Sequence, residues 1–403
     1  MNVRVSSFMS AETSSNGAVS SNTGARRLVG IRERIRRAVV NVMYRIGLSR
    51  CVEGVASKFE LSRSTGSRLP SLRRRVKPKF AVLCYHRVGT DGVPLFSRLK
   101  PSEFEAQMRY LSQHYRVVSL DQLCRELREA KLVQPTVAVT FDDGYRDLYT
   151  HAFPALQKYA IPATVYLIGR CMETGEPPWY DRIFLAVMNA AGNTIDVQLD
   201  QLRRFELGSA EVRLEIAWQI VCYLRTIPDR LRQAWCARFE QILPVQQAEL
   251  EERMLNWEQV RAMGKGGVFF GAHTMSHPAV SQLDPSDFEE ELARSKRLLE
   301  ERLGVPVVHF AYPFGKPSDT NSVAEEFLAR SGYRSAVTTI EGCNLPTTNP
   351  FRLRRIQVDD SDSMASFALT LGRVFLEYPG PLEPDNGTDE TSSQVQQNRC
   401  EVY

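Results

Sequence analysis

Two short segments constrain this chain more than anything else in it, because in each an apolar run stops abruptly at polar groups. Val137-Ala138-Val139-Thr140-Phe141 ends in Asp142-Asp143-Gly144, and Val268-Phe269-Phe270 is followed by Gly271-Ala272-His273-Thr274-Met275-Ser276-His277-Pro278. Both apolar runs read as strands. Their polar groups fall just past the strand ends, where parallel α/β folds place their chemistry. Asp-Asp-Gly alone is a common turn, since Asp bonds local backbone and Gly supplies positive φ. An H-x3-H pair alone is commonly incidental. Together they carry more weight, because the 403 residues contain only six histidines and two fall in this motif. Pro278 also biases His277 out of the right-handed helical region. One carboxylate with two imidazoles is a ligand set for catalytic zinc that leaves a position open for water. The second carboxylate is then free to act as a base on that water. If the strand ran on through the pair, Asp142 and Asp143 would face opposite sides.

Apolar strands recur at 137–140, 163–168, 268–270, 307–311 and 335–338, with helical segments between them. The helix expected over 288–303 has apolar positions at helical spacing and stops at Gly304 before Pro306. The composition, 43% hydrophobic and 24% charged, is ordinary for a globular chain. The motif-bearing stretch of roughly 280 residues suits a single α/β barrel. The chain divides into a Ser/Asn/Thr/Gly-rich segment at 1–24, a basic helix and linker at 25–79, a barrel at 80–376, and a polar tail at 377–403. Within the barrel, residues 171–256 read as a largely helical insertion that a compact barrel does not require. It is either a lid over the substrate or plain packing. Trp179 and Tyr180, near its start, either stack on a sugar ring or join a core.

The Thr-Phe-Asp-Asp-Gly and His-Thr-x-Ser-His elements resemble the polysaccharide deacetylase family, carbohydrate esterase family 4, over about 80–358. The resemblance implies a distorted (β/α)7–8 barrel of the glycoside hydrolase/deacetylase type. It also implies hydrolysis of N-acetyl groups on amino sugars, with Asp142 as general base and Asp143, His273 and His277 as ligands of Zn2+ or another divalent metal. The backbone N–H of Tyr145 would complete an oxyanion site, and Tyr312 and Pro313 would line the substrate. Two departures stand out. The family's Arg-x-Pro-x-Gly reads Ala311-Tyr312-Pro313-Phe314-Gly315 here, so another arginine must orient the base, with Arg352, Arg354 and Arg355 as candidates. A late Leu-His element is also missing. The early Tyr85-His86 resembles that of the poly-N-acetylglucosamine deacetylases, which makes His86 the candidate acid; imidazole suits that role near neutral pH. His309, inside an apolar strand, reads as a core residue, and His114 and His151 fall on helical surfaces.

Residues 26–48 place Leu28, Ile31, Ile35, Val39, Val42 and Ile46 on one stripe with arginines on other faces. Such a helix lies on an anionic membrane surface or packs on the barrel. No apolar run there is long enough to span a bilayer, and nothing resembles a cleavable signal peptide. The expected location is therefore cytoplasmic, peripheral to the inner membrane face. Nucleic-acid binding is disfavoured, because no aromatic platform accompanies the basic residues. Eight cysteines show no C-x-x-C spacing, and a net charge of +4 dictates no partner. The expected partner is an N-acetylated glycan, in an exopolysaccharide setting. The alternatives are an esterase acting on O-acetylated glycans and a noncatalytic glycan-binding relative.

Overall fold

Phe80–Tyr85 (β1) is buried at every position, and a strand apolar on both faces needs cover on both sides. The computed structural model provides it with a closed barrel. It describes residues 79–376 apart from 91–97, 130, 132–133, 247–249, 251–252 and 361–362. The expectations for 1–24, for the basic helix at 26–48 and for the tail at 377–403 lie outside the described residues.

Nine further strands follow β1: Arg116–Val117 (β2), Thr136–Phe141 (β3), Ala163–Leu167 (β4), Thr194–Gln198 (β5), Leu202–Glu206 (β6), Val268–Ala272 (β7), His309–Ala311 (β8), Ser335–Glu341 (β9) and Leu353–Gln357 (β10). The pairing runs β1-β10-β9-β8-β7-β4-β3, and β3 closes the ring on β1. All these pairs are parallel, which makes a seven-stranded barrel. The two-residue β2 adds only a flank to β3. Helices cover the outside, among them Pro101–His114 (α1), Leu120–Arg128 (α2) and Phe153–Lys158 (α3).

Register fixes where the chemistry emerges. Tyr85 pairs with Phe141 at the last step of the β1–β3 ladder, so His86 and Asp142 leave the barrel side by side. Leu167 pairs with Ala272 at the end of the β4–β7 ladder, so His273 leaves at the same rim. The barrel is distorted at β9–β10. Leu353 pairs with Val337 but Arg355 pairs with Glu341, so two extra β9 residues bulge out opposite Arg355. Bulges of this kind re-aim side chains next to sites.

The insertion is an outgrowth with its own core. It comprises Gly169–Thr174 (α4), Trp179–Asn189 (α5), the antiparallel β5–β6 hairpin, Ala210–Arg225 (α6) and Asp229–Ile242 (α7). The hairpin was not expected within a segment read as helical, although Thr194-Ile195-Asp196-Val197-Gln198 alternates exposed and buried as a half-buried strand should. Phe184, Ile220, Val221 and Leu224 pack with Trp179 and Tyr180 in one apolar cluster. Trp257–Lys265 (α8) leads back into β7, and Pro285–Leu303 (α9) ends at Gly304 with φ 70, a left-handed cap as expected. Ser322–Arg330 (α10) and Met364–Leu376 (α11) complete the described α-helices. None of the described helices is long and apolar enough to cross a membrane.

Strand packing leaves no room at Gly271. A Cβ there would sit 2.5 Å from the Tyr166 ring and 2.8 Å from the His309 carbonyl oxygen. Because the second obstacle is backbone, Gly271→Ala is expected to destabilise the fold by about 2–3 kcal/mol. Urea unfolding of the variant beside the parent chain checks this, and an unchanged midpoint would refute it.

Candidate active site

Asp142 lies one residue past β3 and is 2% exposed. Its backbone N–H donates to the Tyr85 carbonyl at 3.0 Å, which ties it to the end of β1. Its carboxylate receives both arms of one guanidinium: Arg355 Nη1 to Oδ1 at 2.7 Å and Nη2 to Oδ2 at 2.6 Å. Arg355 is 0% exposed and is itself held by its Nε donating to the Thr338 carbonyl at 2.7 Å. The structure thereby picks one of the three candidate arginines. Arg352 pairs with Glu325, and Arg354 lies near the Glu341 carbonyl. The arginine missing at Ala311 is supplied from β10. Burial by itself would raise the Asp142 pKa, but Arg355 outweighs it and holds the carboxyl well below the usual range.

Asp143 has the opposite surroundings. The strand stops at Phe141, so the two carboxylates are not separated by strand alternation. Instead Asp143 is the centre of a γ-turn with φ 71, closed by Gly144 N–H donating to the Asp142 carbonyl at 2.9 Å. Burial, and then the neighbouring Asp142 charge, push the Asp143 carboxyl well above its ordinary pKa. Its Oδ1 makes no hydrogen bond and lies 3.6 Å from His273 Nε2 and 3.5 Å from His277 Nε2.

The two histidines are held differently. His273 Nδ1 lies 2.7 Å from the Ala311 carbonyl and donates to it, which leaves Nε2 with its lone pair toward Asp143. His277 has φ 56, left-handed and not extended, and its backbone N–H donates to Thr274 Oγ1 at 3.0 Å. Glu291 of α9 straps the loop between them, accepting from Met275 N at 2.7 Å and Ser276 N at 2.9 Å. Burial lowers the pKa of both imidazoles, so both are neutral.

One ligand atom each from Asp143, His273 and His277 falls in a group within 4.8 Å. An orphaned carboxylate oxygen and neutral imidazole nitrogens, all buried and converging, fit a divalent cation. Buried polar atoms left without partners would otherwise be costly.

The remaining expected residues fall nearby. His86 Nε2 sits 3.8 Å from Asp142 Oδ2. Burial brings its pKa down to about 4, and Asp142, already matched by Arg355, raises it only in part. Tyr145 packs its ring under Arg87 at 4.2 Å. The Tyr312 side chain is a barrel-core group, edge-on to Phe310 at 5.3 Å. Pro313 opens a tight turn in which Gly315 N–H donates to its carbonyl at 2.6 Å, with Phe314 at φ 59. His309 is buried, its Nδ1 2.8 Å from Ser335 Oγ, in keeping with a core role. Sequence reasoning passed over Phe314, which packs on His277, and Glu291. It also passed over Asp181, fully buried near Asp143 and pushed up to about 6 by burial.

Residues 129–335 match the family model described as polysaccharide deacetylase. The chain belongs to the polysaccharide deacetylase family. It is therefore a hydrolase acting on amide bonds. A Bacillus subtilis relative assigned to the polysaccharide deacetylases is 22% identical over 291 residues, covering 72% of this chain and 75% of that one. The poly-β-1,6-N-acetyl-D-glucosamine N-deacetylase of Escherichia coli is 32% identical over 98 residues, and that of Staphylococcus epidermidis is 33% identical over 100. Those matches cover 24% and 21% of this chain and only 15% and 35% of the two relatives. In fold the deacetylase is similar to a Streptococcus pyogenes deacetylase solved with acetate, with a TM-score of 0.51 and 22% identity over 73% of this chain and 99% of that one.

Two outcomes follow from this geometry. Arg355→Met leaves a buried carboxylate uncompensated and is expected to cost about 3–5 kcal/mol. Adding Asp142→Asn should recover much of that loss in denaturant unfolding, and equal losses in single and double variants would refute the coupling. His86 is neutral in the folded chain down to about 4, while in the unfolded chain it takes a proton near 6.5. Acidification through that window therefore favours unfolding, by on the order of 3 kcal/mol at its lower end. His86→Gln should flatten the decline of melting temperature between pH 6.5 and 4, and an unchanged slope would count against it.

Proposed function

We propose that this deacetylase removes N-acetyl groups from amino-sugar residues of a glycan, with Asp142 and His86 working beside a divalent cation held by Asp143, His273 and His277. The observation that carries this reading is the contrast between adjacent carboxylates. One is ionised and clamped by Arg355, and the other turns an oxygen without a hydrogen bond toward two neutral imidazoles. When bound, a cation such as zinc supplies Lewis acidity that polarises the acetyl carbonyl and acidifies a nearby water.

The chain's own residues divide the remaining work. Asp142, kept ionised and correctly oriented by Arg355, takes the proton from the attacking water. The Tyr145 N–H, just past the Asp143 turn, donates on this reading to the oxygen on which charge develops. As the carbon–nitrogen bond breaks, acetate leaves and the amine nitrogen needs a proton, for which His86 is the group at hand. His86 is neutral at pH 7, so it donates only after taking a proton within the cycle, and Asp142 lies 3.8 Å away to pass it on. Tyr312 contributes through the barrel wall, and Pro313 by setting the turn that carries Phe314.

The partial likeness to the poly-β-1,6-N-acetyl-D-glucosamine N-deacetylases supports an N-acetylated glycan as substrate. An ester-cleaving reading on O-acetylated glycans uses the same machinery, but an alcohol leaves without the full protonation an amine needs. For the basic segment at 26–48 we retain membrane-surface attachment, supported by its sequence pattern.

Acetate release from N-acetylglucosamine oligomers should fall at least 100-fold in Asp142→Asn while metal content is retained. His86→Ala should slow N-acetyl cleavage far more than O-acetyl cleavage. Equal losses on both substrates would remove His86 from the acid role.

A further inference from the structure

We infer that the helical insertion positions the metal half of the site, with Trp179 and Tyr180 at the start of α5 as positioning residues for His277 and Asp143. This rests on the reading above that Asp143, His273 and His277 hold a divalent cation. Ligating imidazoles normally donate their second ring N–H to a fixed partner, which sets tautomer and orientation. His273 follows that rule through the Ala311 carbonyl. His277 does not, since neither of its ring nitrogens has a hydrogen-bond partner.

Contacts from the insertion take the place of that bond. The indole Nε1–H of Trp179 donates to the His277 carbonyl at 3.0 Å, a buried bond spanning 98 residues of sequence. It pins the backbone of a residue in a left-handed conformation that a non-glycine side chain adopts only under constraint. The Tyr180 ring packs edge-on to the imidazole at 5.0 Å, opposed by Phe314 at 4.8 Å and His273 at 4.7 Å. The hydroxyl of Tyr180 faces Asp143. One imidazole is thus boxed by three rings, one of them on the insertion.

The box is braced from behind by further insertion residues. The Arg232 guanidinium lies 4.8 Å over the Trp179 ring and donates from Nε to Asp229 at 2.7 Å. The Arg225 guanidinium lies 4.9 Å from the Phe314 ring centre and forms a two-armed pair with Asp319. Both arginines belong to the insertion helices α6 and α7. Arg225 acts on the box through the Phe314 ring, while Arg232 acts on it both through the Trp179 ring and through its positive charge, which bears on His277.

The test titrates Co2+ into the metal-free full chain, with a competing chelator to read affinity and the visible ligand-field bands to read geometry. Trp179→Phe removes the indole donor and keeps an aromatic ring, and Tyr180→Phe removes only the hydroxyl. Each is expected to weaken Co2+ binding about tenfold or more and to shift the bands, since supporting contacts of this kind are worth 10–100-fold in metal affinity. Arg232→Lys, which keeps the charge that bears on His277 but loses the planar stack on Trp179, should give a smaller loss and serves if Trp179→Phe does not fold, as judged by circular dichroism. Affinity within twofold of the parent in folded variants overturns the inference. The underlying reading fails separately: if the parent chain takes up no stoichiometric Co2+, or Asp143→Asn binds it as well, the cation site itself is wrong.

Discussion

A guanidinium and a carboxylate, both fully enclosed and joined by two hydrogen bonds, set the terms for this barrel rim. Removing two charges from water is expensive unless every polar atom finds a partner. Arg355 meets that demand by adding the Thr338 carbonyl and Thr140 Oγ1 to its two bonds with Asp142. The pair joins β10 to the end of β3, across the strand that closes the barrel between them. Its effects spread outward. Asp142 stays ionised despite burial, so its charge bears on Asp143 next door and on His86, whose pKa it raises. Burial, with the Arg355 charge behind it, outweighs the pull of Asp142 and leaves the His86 imidazole neutral.

Strain appears where the two carboxylates must diverge. Asp143 and Phe314 each occupy the centre of a γ-turn at positive φ, and Thr274 and His277 are left-handed as well. Non-glycine residues in this region cost on the order of 1–3 kcal/mol each, so the surroundings must enforce them. Here the enforcers are identifiable. The Tyr85 carbonyl holds Asp142, Glu291 straps the loop between the histidines, and Trp179 fixes the His277 carbonyl. The barrel supplies the first two, and the insertion supplies the third.

Local patterning made much of this visible beforehand. The strands announced themselves as apolar β-branched runs, and Asp142, Asp143, His273 and His277 as the polar groups that interrupt them, because strand ends and turns are written in neighbouring residues. What was not legible depends on partners distant in the chain. Arg355 lies 213 residues from Asp142, and nothing in Leu353-Arg354-Arg355 says which arginine the β9 bulge turns inward. Trp179 and Tyr180 stood out as aromatics, yet whether they meet sugar or core is decided by α6 and α7 packing behind them. The hairpin at 194–206 was hidden by a composition rich in Leu, Arg and Gln, even though its first strand alternates clearly. Asp181 carried no signal at all, since its distinction is enclosure and not sequence context.

On the function proposed above, it is the opposed environments of two adjacent carboxylates, more than their identity, that separate their roles. A group that stays charged when buried is in the form that can accept a proton, although the arginine that keeps it so also weakens it as a base. A group that resists charge, with an unshared oxygen aimed at two neutral imidazoles, is fit to be neutralised by a cation. Exchanging the environments would exchange the roles, because nothing in the Asp-Asp dipeptide itself distinguishes its members. The distinction comes from Arg355 on one side and from His273 and His277 on the other. These come from β10 and from the loop after β7, which meet only because the barrel closes. That closure, more than the motif, is what turns a common turn sequence into a site with a polarity.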